Sequence, residues 1–549
     1  MLNFYGRFVR QLAGETRILL QSQRDFDILR IQIRKSDPVK FIKKCPLERG
    51  RMFAKSNPEN MSNNKRILIY LLVLIIRPIG ISASESNNLP ALFSPEQLLW
   101  EISLGLHQYT VPQIDNGYMF LGINDRNIKH PVVKKTDGGI LMCVEQATGQ
   151  MVWQLPIPRF MDGVKAPYHF NKWRCGVCSR PAIEGDRLYI TGPRGDVLCV
   201  DRFGQRNGND GPFLNETEYI GVPGDSNYQL TDKDGDIIWQ FNMLTEVKVF
   251  PHDVCGTSPL LLGDYLYVST GNGQDDRHRY IANPKAPSLI VLDKRTGQLV
   301  ATEGQLFGDR LFHGGWSSPI AATTGGKTLV LYGGGDGIMY AFEPITHVSK
   351  GQQLQTLKIV WQYDCNPQEY RMRDGKPVPY SRHNKKSTEG PSEIIADPAL
   401  YKNRVYVTIG QSPIHGPGQG ILVCLNIATG QKIWESRKVD RSLGTPAIHD
   451  GLLYLPDYSG RLHCFDADTG RHYWQYDLNA PVWESSAAVI ENKVYVSTDK
   501  RELWVFKADR QPQVISKCRL DSAAITLTCQ DGVLYLPTQK RLFAIKLHP

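Results

Sequence analysis

Short apolar runs separated by turn residues recur along most of the chain, and the stretch from Ser442 to Asp477 shows the pattern most cleanly. Thr445-Pro446-Ala447-Ile448 leads into the turn Asp450-Gly451, and Leu452-Leu453-Tyr454-Leu455 into Tyr458-Ser459-Gly460. Leu462-His463-Cys464-Phe465 leads into Thr469-Gly470, and Tyr473-Trp474-Gln475-Tyr476 follows. Each run has strand length, is rich in aromatic and β-branched residues, and is bounded by turn formers, with glycine supplying the positive φ of the tight turns. The pattern predicts a four-stranded meander. A meander of this size cannot bury both faces alone, so successive units must stack on one another.

The unit repeats. Asp466-Ala467-Asp468-Thr469-Gly470 precedes Trp474, Asn426-Ile427-Ala428-Thr429-Gly430 precedes Trp434, and Glu145-Gln146-Ala147-Thr148-Gly149 precedes Trp153. Asp293-Lys294-Arg295-Thr296-Gly297 keeps the turn but puts Ala301 at the Trp position, and Asp234-Gly235 with Trp239 is a shortened copy. Gly430 and Gly470 sit about forty residues apart, the spacing of a propeller blade. Followed round the chain, blades run roughly from Leu106 to Leu155, Cys178 to Phe241, Cys255 to Glu303, Trp316 to Tyr363, Ile394 to Ser436, Leu443 to Tyr476 and Trp483 to Cys518. Ala523 to Leu547 holds only three strands. Leu98-Leu99-Trp100-Glu101-Ile102 reads like Val152-Trp153-Gln154-Leu155 with no blade before it, so this segment is expected to complete the last blade and close the ring. The expected fold is all-β: an eight-bladed β-propeller of four-stranded blades. Seven blades is the competing count, should the degenerate seventh copy not form one.

These repeats resemble the PQQ (pyrroloquinoline quinone) repeat, whose second strand is matched by Val405-Tyr406-Val407, Leu453-Tyr454-Leu455 and Val494-Tyr495-Val496 and whose Thr-Gly-x-x-x-Trp phrase recurs as above. The resemblance covers almost everything from Leu98 onward. It implies the propeller fold. It does not select a function, because the fold is shared by quinoprotein dehydrogenases, the periplasmic scaffold of outer-membrane protein assembly, and sensor domains of bacterial kinases.

The chain has 549 residues and a net charge of +9. The repeats hold no clustered Lys/Arg run with interleaved aromatics, which argues against nucleic acid as a partner. Lys65-Arg66, an apolar run from Ile67 to Ile76, and then Ser82, Ala83 and Ser84 follow the order of a secretory signal peptide, with Met61 just ahead. We therefore read residues 1–60 as a leader or an over-extended reading frame, 61–84 as a signal peptide or an uncleaved anchor, and 85–549 as the propeller. An extracytoplasmic, periplasmic location follows, with membrane contact only through an uncleaved N-terminal segment.

The eleven cysteines are mostly explained by repeat register. Cys143, Cys199, Cys424 and Cys464 share a slot that holds Ala341 and Ala544 in other blades, which marks small buried packing residues. Cys175-Gly176-Val177-Cys178 is a C-x-x-C followed by Ser179, so it is not a c-type haem site. It is open to three readings: structural thiols, a disulfide after export, or a metal site with His169.

The inner-strand starts should meet at one end of the central channel. Counting six residues back from the inner-strand proline or its equivalent gives Cys175, Asp253, His313, Asp440 and Asp521. Arg174, His252, Trp316, Glu389, Glu393, Trp483 and Glu484 lie near the same layer. Unlike polar groups and aromatics converging on a funnel describe a ligand site. Asp253 and Glu484 are the carboxylates suited to a hard cation such as Ca²⁺, Trp316 or Trp483 suits stacking on a flat ring, and His252, His313 and Arg174 complete the set. Long loops at Asn124 to Asp137, Asn272 to Pro287, Gln411 to Gly420, Pro158 to Trp173 and Asp364 to Pro391 belong to the same face; Phe203 to Asp236 should leave from the opposite one.

The resemblance implies two functions of different class. One is an exported scaffold or sensor binding envelope proteins or a small ligand at the funnel. The other is a quinoprotein-like dehydrogenase using PQQ and Ca²⁺, with Asp253 as catalytic base. Family dehydrogenases carry an adjacent cysteine pair over the cofactor, and no Cys-Cys occurs here. No kinase motif is present either.

Overall fold

The computed structural model describes Pro90 and residues 92–106, 109–159, 174–253, 256–275, 277–304, 307–348, 353–380, 390–415, 420–483 and 485–548. The expected leader and signal segment lie outside these residues, as do Glu484, Glu389, His169 and Cys255. Among the described residues no helix is long and apolar enough to cross a membrane.

Eight antiparallel meanders form the ring among the described residues. The sixth is representative: Ala447–His449, Leu452–Pro456, Arg461–Asp466 and His472–Asp477 pair in sequence order. The seventh copy does form a full blade, from Ala488–Ile490 to Val514–Arg519. In the eighth, Thr528–Gln530, Val533–Pro537 and Arg541–Lys546 are completed by Leu98–Ser103, which pairs antiparallel with Arg541–Lys546. The N-terminal strand therefore closes the ring, as its isolated Trp phrase predicted. Arg541 fastens the closure with ion pairs to Glu101 at 2.5 Å and Asp521 at 3.1 Å.

The repeated phrase is explained by one contact. Asp466 Oδ1 accepts the N–H groups of Asp468 and Thr469, which folds the turn locally. Gly470 follows with φ +72. A Cβ there would lie 2.6 Å from the Trp434 ring of the preceding blade. Only glycine lets the indole lie flat on the turn. The indole N–H then donates to the Ala467 carbonyl at 3.2 Å. Trp100 and Gly149, Trp239 and Gly297, and Trp361 and Gly430 repeat the arrangement, each with its indole N–H on a carbonyl of the same turn. Each outer-strand tryptophan thus locks its blade to the next.

Across the blade, this Trp sits opposite the shared small slot: Cys143 faces Trp153, Cys199 faces Trp239, Cys424 faces Trp434, Cys464 faces Trp474, Ala341 faces Trp361 and Ala544 faces Trp100. On the other side of the slot stands an aromatic, such as Tyr406 or Tyr454. A small residue between two rings avoids overpacking. The cysteines are packing residues, as expected, and burial pushes the Cys143, Cys199, Cys424 and Cys464 thiols up to about 12.

Where the phrase fails, the structure changes. The third blade has Ala301 opposite Val291, and its outer strand Leu299–Thr302 gains a parallel fifth strand, Gln355–Thr356. That strand comes from the connection between the third and fourth strands of the fourth blade. The seventh blade lacks the outer Trp as well; Lys517 lies over Trp504 at 4.1 Å instead.

Gly470→Ala is expected to lower stability by about 2–4 kcal/mol, since it combines a left-handed backbone with a buried clash. Cys464→Ala should cost about 1 kcal/mol. Denaturant midpoints of the two variants check the ranking. Equal midpoints would show that the Trp–Gly contact does not hold neighbouring blades together.

Candidate functional site

In every blade the end of the second strand, the start of the third and the end of the fourth share a face with the inner-strand start, as the pairings Gly139 with Asn124 and with Ile157 show in the first blade. The crossings between blades and the second-to-third-strand loops therefore meet on one face, as expected. Asp201 ends its strand on the other face, so Phe203 to Asp236 leaves from there.

Four histidines meet on the inner-strand-start face. His252 and His313 sit on the crossings into the third and fourth blades, and His278 and His415 on the second-to-third-strand loops of the third and fifth. All four are buried. Ring centroids are 4.4 Å apart for His252 and His313, 4.5 Å for His252 and His278, 4.9 Å for His278 and His313, and 4.3 Å for His313 and His415. His252, His278 and His313 each offer one ring nitrogen within 4.8 Å of the others. Nδ1 of His278 lies 3.1 Å from Nε2 of His415.

The backbone explains why they converge. Gln274 N donates to the His313 carbonyl at 2.8 Å, Gly273 N to the Phe250 carbonyl at 3.0 Å, and His252 N to the Gly271 carbonyl at 3.0 Å. These bonds lace three segments together. Gly273 sits where they cross: a Cβ there would stand 2.4 Å from the His313 oxygen and 2.8 Å from His252 Cβ. Asp275 closes the tight turn that presents His278, which takes φ +52. On the fifth-blade side Gly410 N donates to the Glu393 carbonyl and Gln411 Nε2 to the Pro391 carbonyl, which seats the loop bearing His415.

Glu393 is fully buried with Oε1 3.8 Å from His313 Nδ1. It accepts from Tyr380 Oη at 2.9 Å and from Ser412 N at 3.2 Å. Burial pushes its carboxyl up to about 8 against those hydrogen bonds and the nearby Arg441. Arg441 is itself buried and lies over the Tyr458 ring at 4.2 Å. Burial holds its guanidinium below the ordinary arginine value.

Of the residues singled out from sequence, His252, Asp253, His313 and Trp316 come together. Trp316 donates its indole N–H to the His252 carbonyl at 3.2 Å and stands edge-on to His313 at 4.7 Å. Asp253 Oδ1 is 3.7 Å from His252 Nε2. The other members of the counted layer work within their own part of the ring. Arg174 pairs with Asp137 at 3.2 Å, Asp440 N donates to Asp457, and Asp521 pairs with Arg541. Trp483 is 45% exposed, edge-on to Tyr458 at 6.1 Å. Cys175 is buried and Cys178 half-buried, with the Cys178 thiol donating to the Gly176 carbonyl at 3.8 Å. His278 and His415 were not singled out from sequence. The signal was their place in two of the long loops already assigned to this face.

On the opposite face, Asp201, Asp210 and Asp236 bring carboxylate oxygens within 4.8 Å of one another. Burial pushes Asp236 up to about 7, and Glu216, Asp201 and Asp210 add repulsion.

Residues 418–513 match the family model described as outer membrane protein assembly factor BamB. Two curated proteins of that name are similar to parts of the chain. The one from Shewanella oneidensis is 30% identical over 96 residues, covering 16% of this chain and 24% of that protein. The one from Alkalilimnicola ehrlichii is 26% identical over 132 residues, covering 22% of this chain and 33% of that protein. This chain is a PQQ-repeat propeller similar to BamB. The matches span about a quarter to a third of the length of those relatives. A crystal structure of BamB from Moraxella catarrhalis aligns with 82% of this chain and 99% of that one, at 14% identity and a TM-score of 0.48.

The Asp236 environment generates a pH dependence. A carboxyl raised from the ordinary 3.8 to about 7 binds more protons folded than unfolded. Its contribution to stability is fully present below about 3.8 and is lost as pH rises through about 7. Asp236→Asn should therefore lose less stability than the native chain over that window, read from denaturant midpoints at successive pH values. Parallel profiles would contradict the assignment.

Proposed function

We propose that this propeller is exported and acts as a non-catalytic docking scaffold for proteins of the cell envelope, with the inner-strand-start face as its working surface. The observation that carries this reading is the match of residues 418–513 to an outer membrane protein assembly factor, set within a closed PQQ-repeat ring. Within the matched segment, Trp483 stands 45% exposed on that face beside Tyr458, and Arg441 lies under Tyr458. Exposed aromatic side chains such as Trp483 are among those that contribute most at protein interfaces. The small-to-large packing of the blades supplies a rigid platform and asks nothing of the channel chemically.

The PQQ- and Ca²⁺-dependent alternative has less in its favour. Ca²⁺ takes six to eight oxygen ligands. The described site presents imidazoles, and its central carboxylate, Glu393, holds its proton up to about 8. Among the described residues Asp253 stands close by as a more exposed carboxylate. The described residues do not fit Ca²⁺-bound PQQ.

The mature chain, beginning near Ser84, is expected in the periplasmic fraction and is expected to capture outer-membrane assembly proteins from envelope extracts. Trp483→Ala should reduce that capture while leaving the thermal midpoint within about 1 °C, as surface substitutions do. Cytoplasmic retention of the full chain, or capture indifferent to Trp483, would count against the scaffold reading. Saturable, Ca²⁺-dependent PQQ binding by calorimetry would favour the dehydrogenase instead.

A further inference from the structure

We propose that His252, His278 and His313 form a site for a resident late first-row divalent metal ion of the zinc class, at the junction of the third, fourth and fifth blades. The three imidazoles come from three separate segments, yet each places a ring nitrogen within 4.8 Å of the other two. Three nitrogens bound to one zinc ion lie about 3.3 Å apart, given bonds of about 2.0–2.1 Å and tetrahedral angles. Small ring rotations close the triangle to that size.

The surroundings have the features of a ligand sphere. His252 Nδ1 lies 2.8 Å from the Gln274 carbonyl oxygen. A carbonyl only accepts, so Nδ1 carries the proton and Nε2 presents its lone pair. Metal-binding histidines are oriented in this way, by donating the other ring N–H to a backbone carbonyl or a carboxylate. Glu393 Oε1, 3.8 Å from His313 Nδ1, is placed to do the same for His313 after a small approach. His415 Nε2 lies 3.1 Å from His278 Nδ1 and holds that ring from behind.

The chemistry of the donor set selects the ion. A donor set led by three imidazole nitrogens suits Zn²⁺, Cu²⁺ or Ni²⁺ and not Ca²⁺ or Mg²⁺. Three protein ligands leave a fourth position open. Packing alone does not call for this arrangement. Desolvating polar imidazoles costs free energy that aliphatic side chains in the same volume would not cost, and metal bonds offset that cost. The fold also keeps glycine at Gly273, where a side chain would strike both His252 and the His313 backbone. The inference is independent of the scaffold reading, since it concerns the third to fifth blades and needs no partner protein.

The test uses the purified mature chain. Elemental analysis should find about one transition-metal ion per chain. After chelator treatment, titration with Zn²⁺ against a chromophoric competitor should show one saturable site and raise the thermal midpoint. Co²⁺ in its place should give the intense visible bands of a four-coordinate ion. His278→Gln, in a loop, and His313→Gln should each weaken Zn²⁺ binding by more than 100-fold, with circular dichroism unchanged. Glu393→Gln should weaken it by about 10–100-fold, as loss of an outer hydrogen-bond partner does. His449→Gln, at a half-buried strand end outside the cluster, should change nothing. A metal-free chain that also fails to bind Zn²⁺ would overturn the proposal. So would equal Zn²⁺ affinity in the native chain and the folded His278→Gln variant.

Discussion

The contact on which everything else rests is an indole laid flat on a glycine turn of the next blade. Among the described residues neighbouring blades are separate sheets, apart from the strand Gln355–Thr356 that the fourth blade lends to the third, so the ring is held mainly by side-chain packing between sheets and by one closing strand. The Trp–Gly contact supplies both area and direction. The indole buries a large apolar surface, and its N–H fixes the angle by reaching one carbonyl of the turn, as Trp361 does with Ile427 at 2.8 Å. With angle fixed at most joints, crossings and loops from consecutive blades arrive at the face in reproducible positions. Four histidines from three blades then stand in a linked set of ring contacts, with centroids 4.3 to 5.2 Å apart, because the scaffold beneath them is rigid.

The weak joints are instructive. Between the third and fourth blades the phrase is broken at Ala301, and the chain compensates with Gln355–Thr356 along the outer edge and a stack of Phe307 on Tyr340 with centroids 4.5 Å apart. The histidine cluster lies at this same region of the ring. A metal bridging segments of the third and fourth blades would add a tie where the repeated lock is missing, so the proposed site would serve the ring as well as any ligand.

Fold and site were not equally legible from sequence. The blade count, the closing strand and the small slot facing each Trp all follow from a repeat that imposes the same packing problem eight times. Even the seventh blade, which lacks the outer Trp, forms its four strands. The site had no such repetition. Counting back from the inner-strand proline correctly found the crossings that carry His252 and His313, because crossings are tied to blade register. It also returned Asp440 and Asp521, which occupy equivalent places in other blades and pair locally there, as does Arg174 beside the counted Cys175. Equivalence around a ring is not proximity. His278 and His415 ride on insertions with no register at all, so only the length of their loops pointed to them.

A locked ring that gathers His252, His278 and His313 around one metal ion can be seen directly in a crystal. Anomalous diffraction at the zinc edge, from crystals of the mature protein grown with one equivalent of Zn²⁺ and no chelator, tests it most directly. One strong anomalous peak is expected within bonding distance of all three imidazoles, with Glu393 beside His313. A map without a peak there, in which the imidazoles are hydrogen-bonded to one another and to Glu393, would contradict it.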